Sequence, residues 1–221
     1  MKPLLLTALL AVLLLSSCSK KSTPAPATKT GSVTIIANNY PTIIIGSQTW
    51  TSFNYQGAGG SLTIADVTYG NYYTLAQAML ITLPTGWRIP TRADYNTLLS
   101  NYTTTKNAAG DFVGDQNAAR ALSDSTKWLF LGATSASGFS AFPGGEYDVT
   151  NKLVVNTQIN AIFLTSTTGT IVSGGQTSTY NYFFAITDDG VGVGQSNMPY
   201  FAGIDYNLNP YAYSLRFVKD N

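Results

Sequence analysis

Cys18, a small set of carboxylates and a late run of tyrosines and asparagines are the residues of this chain whose types and spacing suit chemistry or recognition. Cys18 is the only cysteine and follows Leu15-Ser16-Ser17, at the end of an apolar run over residues 4–15 that begins after Met1-Lys2. A basic start, a short hydrophobic stretch, small residues and then cysteine make up a bacterial lipoprotein signal and lipobox. The run is shorter than the roughly 20 residues a helix needs to span a bilayer, so it reads as a signal core. Cleavage before Cys18 would leave a lipidated N-terminus with several acyl chains, and several are needed because one chain holds only marginally.

The carboxylates suggest a second chemistry. Glycoside hydrolysis needs two acids separated by roughly 5 to 10 Å and no other group. Glu146, the only glutamate, and Asp148 follow a double glycine in what reads as a loop. Asp188 and Asp189 are the other close pair, and a hairpin turn accounts for them. An oxygen-only calcium site built from Glu146, Asp148 and backbone carbonyls is chemically admissible, although no EF-hand spacing accompanies it. The bland reading of Glu146 is an acid that is exposed or paired with an arginine.

The late cluster holds Asn197, Tyr200, Tyr206, Asn207 and Asn209. Tyrosine supplies a rigid amphipathic contact and asparagine hydrogen bonds of either sense, a composition shared with adaptable recognition surfaces. Aromatic rings also stack on the apolar faces of sugars. The competing reading places part of the cluster in a β-core, Tyr211 and Tyr213 in particular.

Composition excludes several functions. The chain has no histidine, and with Cys18 acylated neither imidazole nor thiolate remains for ordinary zinc, copper or haem sites. Ser-His-Asp and Cys-His catalysis fall for the same reason. Residues 31–221 carry eight cationic and eleven acidic side chains, a net charge of −3 with no basic cluster, which disfavours nucleic acid as a partner.

The elements that must position these residues are legible in outline. Residues 1–17 are the signal and 18–30 a lipidated tether rich in Lys, Pro, Ala, Ser and Thr that cannot bury a core. Residues 31–221 suffice for one domain. Residues 43–50 read as two strands around a Gly-Ser turn. Thr74 with Gln77, and Thr91 with Asp94, are capping boxes opening helices at 75–80 and from 92. Tyr95, Leu98, Leu99 and Tyr102 form one apolar face of the second, and a third helix is expected around 117–122, with Asp115 or Asn117 as its cap. Residues 138–145 are irregular. Residues 161–165, 182–187 and 191–195 read as strands, the last two joined by a turn at Asp188-Asp189-Gly190, and the chain ends on an alternating strand. Helices early, with a sheet built from the first and last segments, predict an α+β fold.

Four ordered segments carry a resemblance: Ile45-Gly46-Ser47-Gln48-Thr49-Trp50, Pro84-Thr85-Gly86-Trp87-Arg88-Ile89-Pro90-Thr91, Gly138-Phe139-Ser140-Ala141-Phe142-Pro143-Gly144-Gly145, and Ser214-Leu215-Arg216-Phe217-Val218-Lys219. In this order, over about residues 41–220, the chain resembles the Fibrobacter succinogenes major paralogous domain family of envelope lipoproteins from Bacteroidetes and Fibrobacteres. The resemblance implies a C-type-lectin-like fold, related to the formylglycine-generating enzymes, with two to three short helices, a mixed and mostly antiparallel sheet and a loop-rich second half. It implies no catalytic residues. The calcium motifs of sugar-binding C-type lectins and the cysteine pair of the formylglycine-generating enzymes are absent. Trp50, Trp87, Arg88, Pro90, Thr91, Gly144 and Gly145 read as scaffold: both indoles want core positions with a partner for the N–H, and Arg88 suits a loop carbonyl or a carboxylate.

The expectation that follows is a membrane-anchored, non-catalytic module that binds a polysaccharide or protein ligand through Tyr200, Tyr206 and the neighbouring asparagines. It would need no cofactor and sit in the outer membrane, on its surface or its periplasmic face, by analogy with Ser19 following the lipidated cysteine in other Gram-negative sorting. The alternatives are a hydrolase using Glu146 with Asp148, and a passive structural component of the envelope.

Overall fold

The computed structural model describes residues 29–60, 67–187, 202–207 and 211–221, and only the backbone of residues 29, 30, 67 and 202–207. Cys18 and the other residues up to 28, in the ranges read as signal and tether, lie outside the described residues.

The first and last segments of the chain share a four-stranded sheet. β1 (Lys29–Ile35) and β2 (Asn38–Ile45) pair antiparallel, β3 (Gln48–Thr51) returns from β2, and β11 (Val218–Asp220) adds to β3. Gly46 takes a φ of +59° in the β2–β3 turn, where a side chain would be strained. β1 takes up the last two residues of the range read as tether, with Lys29 opposite Ile43. Alternation along β2 sends Ile43 and Ile45 inward, while Thr42 and Ile44 face the other side.

Three helices follow as their caps foretell. Thr74 and Thr91 each form a complete capping box, opening α1 (Leu75–Ala78) and α2 (Arg92–Ser100). α3 (Gln116–Leu122) takes Asp115 as its cap, the earlier of the two candidates, accepting from the backbone N–H groups of Asn117 and Ala118. A 3-10 turn covers Val67–Tyr69. Among the described residues no helix is long and apolar enough to cross a membrane.

The remaining strands are β4 (Tyr72–Tyr73), β5 (Glu146–Asp148), β6 (Leu153–Val155), β7 (Asn160–Ser173), β8 (Gln176–Thr187), β9 (Ala202–Asn207) and β10 (Tyr211–Ser214). They form a second sheet in the order β6-β5-β10-β7-β8-β9, with β4 paired to β10. β10 and β7 run parallel, and the other pairs are antiparallel. The fold is therefore α+β with mixed, mostly antiparallel strands. Its second half holds more strand than expected, because β7 and β8 continue far past residues 161–165 and 182–187 as a long hairpin closed by Gly174 and Gly175. Both faces of that extension are polar, Thr and Ser for the most part, so no hydrophobic period marks it. The turn read at Asp188-Asp189-Gly190 and the strand read at 191–195 lie outside the described residues.

Two cores flank the start of β7. Ala161 and Phe163 pack with Ile43, Ile45, Trp50, Tyr95, Leu98 and Phe139. Ile162 and Leu164 point the other way, to Val33, Ile35, Tyr55, Ala78 and Phe217. Burial on both faces explains why this segment is continuously apolar.

Candidate functional site

The motif residues fold into two polar hubs. In the first, the Asp94 carboxylate, at the first turn of α2, accepts from five donors: Gln48 Nε2 at 2.9 Å, Arg88 Nε at 3.1 Å and Nη2 at 2.5 Å, and the backbone N–H and hydroxyl of Thr91 at 2.8 and 2.9 Å. Burial alone would raise its pKa, but the Arg88 and Thr91 hydrogen bonds outweigh it and hold Asp94 below the usual carboxylate range. Arg88 also donates to Asp220 at 2.8 Å, and its backbone exchanges hydrogen bonds with Val218. Arg88 thus binds carboxylates, one of the two partners its sequence context suggested. Pro90 is buried just before the cap, and its carbonyl accepts from the backbone of Ser166.

The second hub is Arg216, whose side chain is wholly buried. Its guanidinium donates to Asn54 Oδ1 at 2.6 Å and to the carbonyls of Thr51, Phe139 and Ser140 at 2.8–2.9 Å. The rings of Phe139 and Phe163 lie 5.0 and 5.5 Å from its central carbon. Burial pushes its pKa down to about 9, so it stays cationic at neutral pH, held by neutral dipoles and ring faces. One residue of the last motif therefore ties the 138–145 loop to the end of β3.

Gly145 has a φ of +67°, and an added Cβ would sit 1.9 Å from the Val155 carbonyl oxygen, whereas at Gly144 the nearest atoms would be 3.4 Å away. Only Gly145 is required by the backbone. Glu146 and Asp148 lie on β5, not in a loop, and each is engaged locally. Asp148 accepts from the backbone N–H groups of Thr150 and Asn151 and from the Asn151 amide, which close the β5–β6 hairpin and lower its pKa. Glu146 Oε1 accepts from Asn156 at 2.8 Å, while Oε2 is buried with no hydrogen-bond partner. Burial raises the Glu146 pKa, against the smaller pull of Asn156. Among the described residues no group of three acids clusters to hold a metal ion.

The two tryptophans part ways. Trp50 is fully buried and its indole N–H donates to Gln48 Oε1 at 3.3 Å. Trp87 is only half-buried, packed at the margin of the core that holds Val33, Ile35 and Tyr40. It borders an open cleft of about 420 Å³ with Thr42, Ile44, Thr49, Lys219 and Asn221. The Lys219 ammonium lies 5.6 Å from the Trp87 ring centre, and Thr49 Oγ1 donates to Asn221 Oδ1. Sequence reading missed this cleft. Its signal was Thr42, Thr49 and Lys219 standing beside the core residues Ile43, Trp50 and Val218 on β2, β3 and β11.

Of the residues expected to bind ligand, Asn197, Tyr200 and Asn209 lie outside the described residues. Tyr206 and Asn207 fall on β9, where their backbones stand opposite Tyr182 and Asn181. Tyr213 is buried, and Tyr211 packs half-buried against the same core, as their alternation suggested.

No curated protein and no solved structure matches this chain. The model of one family, the Fibrobacter succinogenes major domain, matches residues 43–219, a span that begins at the inward residues of β2 and ends at Lys219, taking in both polar hubs. This chain belongs to the Fibrobacter succinogenes major domain family.

Proposed function

We propose that this chain is a lipid-anchored envelope protein whose folded domain is a non-catalytic binding module for a polysaccharide or protein ligand. One observation carries the reading: the half-exposed Trp87 indole beside hydroxyl-bearing Thr42 and Thr49 in an open cleft. An aromatic face next to polar groups is the make-up of a recognition site, and the volume suits a small ligand or a few units of a longer one. The hubs at Asp94 and Arg216 support it indirectly, because their charged groups are occupied in holding loops together and are not presented to a ligand.

The cleft lies on the sheet whose first strand follows the tether, so Cys18 would hold it within tether reach of the outer membrane. The test is a glycan-array and polysaccharide pull-down on the full-length protein in detergent, with and without calcium, repeated on Trp87→Ala and on Tyr200→Ala/Tyr206→Ala. Saturable binding lost in Trp87→Ala supports the cleft. Loss only in the tyrosine variant moves the site to the late cluster, and no binding to any glycan turns the search to protein ligands. Cys18→Ala should leave the membrane fraction and lose lipid labelling.

A second reading, a carboxylate-based hydrolase, draws on Glu146, whose raised pKa suits a general acid. Asp148 makes a poor second acid, since its oxygens are taken by the hairpin turn. Turnover of a polysaccharide that disappears in Glu146→Gln would establish it.

A further inference from the structure

Lys219 carries the one charged side chain lining the cleft. Its neighbour Asp220 is held by Arg88, and no acidic side chain pairs with Lys219 among the described residues. The ammonium instead rests over the Trp87 ring. From these positions we infer that the cleft selects an acidic sugar, a carboxylate-bearing unit of a polysaccharide, over a neutral one. This rests on the reading of the cleft as the binding site.

The physical argument starts from what covers the indole. One side of Trp87 packs against the second core, and Lys219 lies over the ring. A neutral sugar that stacks on this ring must displace the ammonium and return nothing for the lost cation–π contact. A sugar carboxylate returns a charge-assisted hydrogen bond, stronger than a neutral one, and draws Lys219 off the ring as it forms. The acid thus opens the stacking face that the sugar ring then occupies. The hydroxyls of Thr42 and Thr49 stand along the same face, and the indole N–H has no hydrogen-bond partner among the described residues, which leaves it to donate to the ligand.

Arg88 keeps this arrangement in register. It grips Asp94 and Asp220 and pairs its backbone with Val218, fixing the strand that carries Lys219 to the motif that carries Trp87. The family motif would then serve recognition through position alone, without touching ligand.

The experiment titrates full-length protein in detergent with polygalacturonate and with its methyl-esterified, neutral counterpart, following calorimetry and tryptophan emission, at low and at 0.5 M salt. Lys219→Gln, Trp87→Ala and Trp87→Phe are compared with Lys106→Gln, which removes the same charge from an exposed loop residue outside the cleft. The expected result is at least tenfold tighter binding of the acidic polymer, abolished by Lys219→Gln and weakened by salt. Trp87→Ala should lose binding to both polymers, Trp87→Phe should keep it within a few-fold, and Lys106→Gln should change nothing. Lys219→Gln should also bind the neutral polymer more tightly than the parent does, because its ring is no longer covered. Equal affinity for the two polymers, with both lost in Trp87→Ala, would overturn the acid preference and leave the cleft standing as a glycan site. Equal losses in Lys219→Gln and Lys106→Gln would reduce the effect to net charge and overturn it too. Absence of binding to either polymer overturns the inference, and the array decides separately whether the cleft takes another ligand.

Discussion

Gln48 and Asp94 stand 46 residues apart in the chain, and Gln48 Nε2 donates to Asp94 Oδ1 at 2.9 Å inside the protein. The same glutamine accepts the indole N–H of Trp50 through its Oε1. A single amide therefore links the β3 tryptophan to the α2 cap, and through Asp94 to Arg88 and the last strand. Each of the four motif segments supplies a member of such a link.

Removing Asp94 should be costly. Asp94→Ala leaves Gln48 and Thr91 without their acceptor and the partly buried Arg88 guanidinium with Asp220 alone, a loss of about 3 kcal/mol. Asp94→Asn keeps the shape but puts N–H groups against donors, for about 1–2 kcal/mol. Because the folded pKa of Asp94 lies below its unfolded value of roughly 3.9, its contribution is present above that pH and is lost as pH falls through the folded value. Urea midpoints measured from pH 6 down to pH 2 should fall less steeply in Asp94→Asn than in the parent. Identical slopes would mean that Asp111, whose pKa is lowered by Arg92 and Asn96 against its burial, carries the acid sensitivity.

Arg216 is the second test of the scaffold. Arg216→Lys keeps the charge but has no planar fork to reach Asn54, Thr51, Phe139 and Ser140 together. Unpaired buried acceptors cost about 1–3 kcal/mol each, so a loss of about 3 kcal/mol or more is expected by chemical denaturation. Arg216→Met should lose a comparable amount. A loss under 1 kcal/mol in both would show that the loop holds its shape without the guanidinium.

The adjacent glycines should separate cleanly. Gly145→Ala combines a left-handed backbone with a Cβ 1.9 Å from a backbone oxygen, and should cost about 3 kcal/mol or more. Gly144→Ala meets neighbours only at 3.4 Å and should stay within about 1 kcal/mol. Thermal melts of the two variants side by side suffice.

Glu146 should show the opposite pH dependence to Asp94. Its folded pKa is raised by burial, so the folded state gains from protonation: that contribution is complete below the unfolded value of about 4.3 and is lost as pH rises through the folded one. Glu146→Gln should therefore stabilise the protein at pH 7, by up to about 1 kcal/mol, and give no gain near pH 4. Denaturant midpoints at the two pH values read the difference directly. A gain that persists unchanged at pH 4 would place the effect in packing instead of charge.

Local features were the readable ones. Thr74, Thr91 and Asp115 cap their helices through bonds to backbone no more than three residues away, so short sequence windows suffice to find them. The β2–β3 hairpin and the doubly buried start of β7 were legible for the same reason, as a glycine turn and an apolar run. The long β7–β8 extension was not, because Thr and Ser on both faces leave no period to detect, and only pairing across Gly174-Gly175 makes them strands. Sequence alone reads Glu146 in a loop and Trp87 in the core; pairing across a hairpin puts Glu146 on β5 beside Asn156, and Trp87 packs only half-buried at the margin of its core.

By itself the sequence determined the absence of histidine, the α+β class and the family motifs, since each depends on residue types or on spacings within a few positions. Tertiary structure alone decided that the motifs converge on Asp94 and Arg216, that Asp148 closes a turn, and that Trp87 and Lys219 face one cleft. Those outcomes depend on strands from the two ends of the chain meeting in one sheet, where hydrogen-bond register, not sequence distance, sets which side chains become neighbours.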